Sequence, residues 1–359
     1  MQSCRRNLVV GRGFALLWAV FVAMLCGWLA ACSGDAPRGV DDPQRSVYYW
    51  RTTLRLDSAE RAFVSEAEVR KVYLHLFDVE RNSAGELVPG NTLLFEDTLP
   101  SGVDVIPTVF VAPRALRNSA GVAELPQLIW KRASQMLTQN GYPSPREIQI
   151  DYDWTQSDAS CYFDMLARLH ELVAKDGARL SATIRLHQLA MKVPPVDYGV
   201  LMVYNVGDFR SYDEANSILS RKGVEPYLNR LAAYDLPLCA ALPVFGWDLL
   251  FHRGQFVRLL RGVDVADTAC FERLDSVHYR CQQYMSPSQG GVTDEGRQRL
   301  YPGDEIRHEQ CSAALLREVR DMLEKRRPGI CSQTVLYHLD NKQLKRYDKD
   351  EIKSLFGGH

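Results

Sequence analysis

Between residues 47 and 340 the apolar positions follow two rhythms. Short runs rich in Val, Ile, Leu and Tyr are apolar at alternate places or throughout, and these predict eight strands, at 47–55, 71–79, 105–111, 148–154, 180–186, 199–205, 238–244 and 335–340. Stretches with apolar residues at three- and four-residue spacing predict helices at 58–68, 125–140, 160–176, 224–234 and 311–325. No Pro/Gly/Ser-rich linker or internal repeat divides the chain. Strands alternating with helices predict an α/β fold, a single-domain (β/α)8 TIM barrel over residues 47–345, with an open doubly wound sheet as the alternative. Two segments carry neither rhythm, 80–104 and the long insertion 252–304, and both are expected to be irregular. The stretch after the last strand, "DNKQLKRYDKDEIKSLF" at 340–356, is expected to form a small surface helix, with 346–359 as the C-terminal tail.

The fourth strand, "IQIDYDWT", is the chemically unusual one. Ile148, Ile150, Tyr152 and Trp154 alternate with Gln149, Asp151, Asp153 and Thr155. Two carboxylates on one side of a strand repel each other, and their burial costs several kcal/mol unless it is compensated. In a barrel the outward row packs on helices and the inward row climbs to the C-terminal rim, where function resides. The fifth strand repeats the pattern, with Ser181, Thr183, Arg185 and His187 facing inward. A cationic Arg185 beside Asp151 or Asp153 offsets their repulsion. Trp50, Tyr204 and Trp247 are candidates for an aromatic stacking platform, and His75, Asp78, Asp208, Asp248, His338 and Asp340 lie near other strand ends.

Ahead of the barrel, Arg5, Arg6 and Arg12 precede an apolar run from Phe14 to Ala31. This is the charged start and apolar core of an export signal, an uncleaved membrane helix being the alternative. Leu29 to Cys32, "LAAC", resembles the processing box of bacterial lipoproteins. The resemblance implies a signal peptide 1–31, acylation of Cys32, a lipidated tether 32–46, and a protein anchored to a membrane of the bacterial envelope outside the cytoplasm. Cleavage removes three of the 43 basic residues and none of the 44 acidic ones, so the mature chain is more acidic than the whole chain's net charge of −1. With no basic stripe, nucleic acid is not an expected partner. No CxxC pair or short metal spacing occurs, and neither metal nor cofactor is expected. Cys270, Cys281, Cys311 and Cys331 are candidates for disulfides in an exported protein.

"IDYDWT" on strand four resembles the Asp-x-Asp-x-Glu signature of chitinase-like, family 18 glycoside hydrolases. "LMVYN" on strand six is similar to that family's Met-x-Tyr-Asp/Asn, which matches Met202, Tyr204 and Asn205. The chain is also similar to a group of bacterial barrel lipoproteins that share the "IDYD" and "YGVLM" strands. The family resemblance implies that Asp153 orients a substrate N-acetyl group and that Tyr204 hydrogen-bonds it. The family's general-acid Glu falls on Thr155, whose hydroxyl does not serve as an acid near neutral pH. Three functions are therefore weighed. The first is a membrane-anchored glycoside hydrolase with Asp151 and Asp153 as catalytic residues and Thr155, Arg185, His187, Met202, Tyr204, Asn205, Trp50 and Trp247 binding substrate. The second is a barrel that binds glycans without cleaving them, and the third a metal-dependent hydrolase using Asp153, His187 and His338.

Overall fold

The computed structural model describes residues 40, 44–113, 115–116, 121–260, 263–285 and 299–356. The export signal, Cys32 and most of the tether lie outside the described residues. No helix among the described residues is long and apolar enough to cross a membrane.

Eight parallel strands close on themselves: β1 (Ser46–Tyr49), β2 (Lys71–Arg81), β3 (Asp104–Val111), β4 (Glu147–Asp151), β5 (Arg179–Arg185), β6 (Tyr198–Met202), β7 (Leu238–Pro243) and β8 (Thr334–Tyr337). Each pairs with the next, and β8 returns to β1 through Ser46–Val335 and Val47–Leu336. The chain is a closed (β/α)8 barrel. Four long helices cover it: α1 (Ser58–Glu66), α2 (Leu125–Gln139), α3 (Ala159–Lys175) and α4 (Ala313–Arg326).

The alternation read from the sequence is realised. Ile148, Ile150, Tyr152 and Trp154 belong to the layer between strands and helices, the last two packing on Tyr162 and Phe163 of α3. Tyr48, Tyr73, Ile106, Tyr198, Val200, Cys239, Ala241 and Val335 fill the interior. Gly199 on β6 is required by the packing of the outer layer, because a Cβ there would stand 2.6 Å from Ile184 Cγ1 and 2.8 Å from Leu238 Cδ2. At the floor, Lys71 Nζ lies 3.5 Å from Glu147 Oε2, and the Ser181 and Tyr198 hydroxyls both donate to Glu147 Oε1. A buried carboxylate is tolerated there because a charge partner and two donors replace its water.

Four sequence expectations are corrected. The insertion after β7 is not irregular but a five-stranded antiparallel sheet, ordered Gln255–Leu260, Gly246–His252, Glu305–Gln310, His278–Cys281, Phe271–Arg273, with its own core around Leu250, Leu260, Phe271 and Ile306. Its first hairpin turns on Arg253 and Gly254, both with positive φ (51° and 74°), so Arg takes the place usually held by Asn or Asp. Segment 80–104 pairs Leu87–Gly90 against β2 and Leu94–Phe95 with Thr53–Leu54. The helix expected at 224–234 is broken into Arg221–Val224, a 3-10 turn Glu225–Tyr227 and Leu228–Ala233, because Pro226 has no amide to continue the helical hydrogen-bond ladder. The cysteines are thiols: Cys311 and Cys331 lie in the main core, whereas Cys270 and Cys281 lie in the core of the inserted sheet. Burial pushes both Cys311 and Cys331 up to about 12.

Candidate functional site

The C-terminal ends of β4, β5 and β6 bring six of the expected residues to one cavity of about 220 Å³: Asp153, Arg185, His187, Met202, Tyr204 and Asn205. Each arrives by a different local device. Asp151 ends β4 and is nearly buried, accepting from Thr183 Oγ1 at 2.6 Å and from Arg185 Nη2 at 2.8 Å. Burial alone would lower the Arg185 pKa, but the charges of Asp151 and, further off, Asp153 reverse this and keep it cationic. Asp153, two residues beyond the strand register, has a half-exposed side chain held by Gln188 Nε2 at 3.2 Å and His187 Nε2 at 3.3 Å. The two carboxylates thus have separate roles. Asp151 is committed to a fixed ion pair, and Asp153 is open to a ligand.

His187 and Gln188 sit on a 3-10 turn, Leu186–Ala190, that replaces a full helix after β5. Asn205 adopts the left-handed region (φ 55°), which Asn tolerates better than most residues, and so turns the chain at the rim of β6. Tyr204 bonds Met202 Sδ and packs on Tyr337, ring centroids 5.1 Å apart; burial raises its hydroxyl well above the ordinary value, so it is a neutral donor.

Thr155 is not brought into this group. Its amide donates to Asp158 Oδ1 at 2.6 Å, its hydroxyl contacts Ser157 and Asp158, and Asp158 in turn accepts the Tyr152 hydroxyl from the helix-facing row. β4 has already ended at Asp151, so the inward alternation does not reach residue 155. Trp50 lines a separate, larger cavity of about 640 Å³ with His75, Asp78, Asn91 and Phe110. Trp247 leaves the barrel on the first inserted strand, donating from Nε1 to Glu309 Oε2 at 2.8 Å. Tyr337 contacts Trp50, Tyr204 and Phe245 and so connects the two cavities.

The barrel is similar in fold to chitinase barrels. Superposition on the chitinase of Chromobacterium violaceum ATCC 12472 gives a TM-score of 0.53 at 13% identity, covering 87% of this chain and 97% of that one. The spore cortex-lytic enzyme SleL of Bacillus megaterium QM B1551 gives 0.50 at 14% identity, covering 87% and 74%. Catalytic domain 2 of the Group II chitinase of Ostrinia furnacalis, a mutant in complex with penta-N-acetylchitooctaose, gives 0.50 at 12%, covering 87% and 95%. No protein-family model matches the chain, and no curated protein matches it by sequence.

The remaining sequence candidates resolve into structural parts. Asp340 caps Asn341–Leu344 and meets Arg51 at 3.3 Å, Asp208 accepts from the Arg210 amide, and Asp248 holds His308 at 2.7 Å. Among the described residues no three His, Cys, Asp or Glu side chains group so as to hold a metal, so Asp153, His187 and His338 do not form a ligand set. Sequence reasoning missed Tyr337, Gln188 and Glu309. Tyr337 was legible, since it continues the inward alternation from Val335; Gln188 and Glu309 depend on a 3-10 turn and a cross-strand register that no local pattern announces.

Proposed function

We propose that the chain is a glycoside hydrolase-like enzyme of the bacterial envelope, anchored through acylated Cys32, that acts on an N-acetylated polysaccharide at the rim of β4 to β6. The convergence of Asp153, Arg185, His187, Met202, Tyr204 and Asn205 on one cavity carries this reading. Asp153 is a half-exposed carboxylate beside the Asp151–Arg185 ion pair, and Tyr204 is a neutral donor with an aromatic face. Such a pair suits an acetamido group, which presents an N–H to the carboxylate and a carbonyl to the hydroxyl. The similarity in fold to chitinases adds support. The test is reducing-end release from a panel of chitin, chito-oligosaccharides and peptidoglycan, with the Asp153→Asn variant in parallel; release that persists in the variant overturns the assignment.

One observation favours a second reading. Thr155, at the position of the family's acid, is consumed in the Asp158 turn, which leaves the β4 side of the mouth without a proton donor. On that reading the barrel binds glycans without cleaving them, and the same panel gives binding with no release.

A further inference from the structure

The chain ahead of β1 is fastened to the underside of the barrel before it enters the sheet. Val40 is 6% exposed and belongs to the interior cluster of Tyr73, Ile106 and Tyr198. Its carbonyl accepts the Ser332 hydroxyl at 3.4 Å, just ahead of the start of β8 at Thr334. β1 starts at the same N-terminal end of the strands, where Ser46 pairs with Lys71. A buried apolar side chain and a bonded carbonyl make Val40 the point at which the tether leaves the barrel. The rim that carries Asp153 and Tyr204 is at the other end of the strands. The floor also holds a cavity of about 480 Å³, where Lys71, Arg146 and Arg179 line the wall with Asp104 and Glu147. Lys71 and Arg179 both meet Glu147, and Arg146 is exposed, so one cation is in excess at this end.

We propose that the floor of the barrel is the membrane-facing surface of the anchored protein and that the β4 to β6 mouth opens away from the bilayer. Val40 follows Cys32 by eight residues, which fully extended reach at most roughly 26–29 Å. As a relaxed coil they span roughly 14–17 Å. The barrel wall is as tall as the taut tether is long. β2 runs 11 residues from Lys71 to Arg81 and, at about 3.3 Å per residue and a tilt of about 36°, rises roughly 27 Å. A mouth-down attitude puts that whole height between Val40 and the bilayer, so the tether would be drawn to its limit and lose its conformational freedom. Floor-down needs no stretching. It also sets the excess cation against lipid phosphates, which attract it. The mouth then meets glycan that stands off the bilayer.

This proposal rests on the anchored reading, and the experiment separates the two. Full-length protein purified from bacterial membranes is reconstituted in vesicles of phosphatidylethanolamine and phosphatidylglycerol. It carries one fluorophore, at Ser144→Cys on the floor, Gln135→Cys on α2 or Gln156→Cys beside the mouth, all three positions being exposed. Cys161, the one half-buried thiol among the described residues, is replaced by Ser so that labelling is specific. Lipids bearing a nitroxide on the headgroup quench at short range. Quenching at position 144 is expected to exceed that at 156 by about threefold or more, with 135 between them, because the wall lifts the mouth beyond the quencher. Equal quenching at the three positions, or most at 156, overturns the orientation alone. An insertion of about 20 Gly/Ser residues after Gly34 lets the relaxed tether span the wall, and the difference is expected to shrink toward equality. A difference that the insertion leaves unchanged overturns the tether as its cause. A wild-type chain that neither carries acyl groups on Cys32 by mass spectrometry nor floats with the vesicles overturns the anchored reading, and the orientation with it.

Discussion

The Arg185 guanidinium stands 2.8 Å from Asp151 Oδ1, and the same oxygen accepts the Thr183 hydroxyl, so the inner carboxylate of "IDYD" is a fixed structural charge. Removing its cation leaves a nearly buried carboxylate with one donor. Arg185→Met is expected to lower unfolding free energy by about 3 kcal/mol, within the cost of breaking a buried pair from one side. Asp151→Asn is expected to cost less, about 1–2 kcal/mol, because the Asn carbonyl still accepts the hydrogen bonds that Thr183 and Arg185 give the carboxylate. Urea unfolding of the two single variants and the double gives the coupling; additive losses would mean that the pair is not coupled.

Asp153 makes the opposite case. Its side chain is 51% exposed, and its hydrogen-bond and ion-pair partners among the described residues are Gln188 and His187. Asp153→Asn is expected to change stability by less than about 0.5 kcal/mol while removing glycan turnover. A large drop in melting temperature would assign the residue a structural role instead.

Restoring the family's acid at position 155 is expected to fail. A Glu in place of Thr155 would face Asp158 across the turn that now accepts the residue 155 amide. Thr155→Glu should lower the melting temperature and leave release from chito-oligosaccharides unimproved. A rise of tenfold or more would show that the side chain reaches the mouth.

Trp247 depends on an ion pair within the inserted sheet. Arg307 Nε lies 2.6 Å from Glu309 Oε1, with both side chains fully buried. Glu309 Oε2 accepts from Trp247 and from the amide and hydroxyl of Ser217, at 2.7 to 2.9 Å, and Arg307 holds the carbonyls of Phe209 and Ser211. Glu309→Gln leaves Arg307 uncompensated and is expected to cost about 3–5 kcal/mol. If Trp247 contacts the glycan, the surviving folded fraction should show a raised KM with little change in kcat.

Asp275 provides a pH test of the inserted sheet. Amide donation from Val277 and His278, with the His278 ring adding to it, lowers its carboxyl from 3.8 to about 2. A carboxyl lowered in the folded state stabilises above its unfolded value, and that stabilisation is lost as pH falls from about 4 to about 2. Asp275→Asn should flatten the unfolding midpoint against pH in that window and leave its slope unchanged above pH 5.

The barrel was readable from the sequence because its signals are local. The eight strands follow from apolar runs that alternate or are continuous, and the outward Ile148–Trp154 row and the inward Asp151 and Arg185 follow from a two-residue period. The site was readable where that period lasts and was misread where it stops. Thr155 lies beyond the end of β4, and its place is set by a capping interaction with Asp158 rather than by the pleat. The inserted sheet escaped notice because its strands are short and its Arg-Gly turn carries no Asn or Asp. The His75–Asp78 pair hides behind a bulge, which converts an i, i+3 spacing that alternation would place on opposite faces into neighbours on one face.

Closure of the barrel depends on the end of the chain. β1 takes one neighbour from β2 and the other from β8, which lies about 290 residues later. Until Thr334–Tyr337 is synthesised and docked, β1 and β7 each expose a row of unpaired amides and carbonyls, and Tyr337 is missing from between the two mouth cavities. A chain shortened by a few dozen residues is therefore an open sheet with two adhesive edges rather than a smaller barrel, and its fate in a cell is decided by chaperones and proteases rather than by its active site.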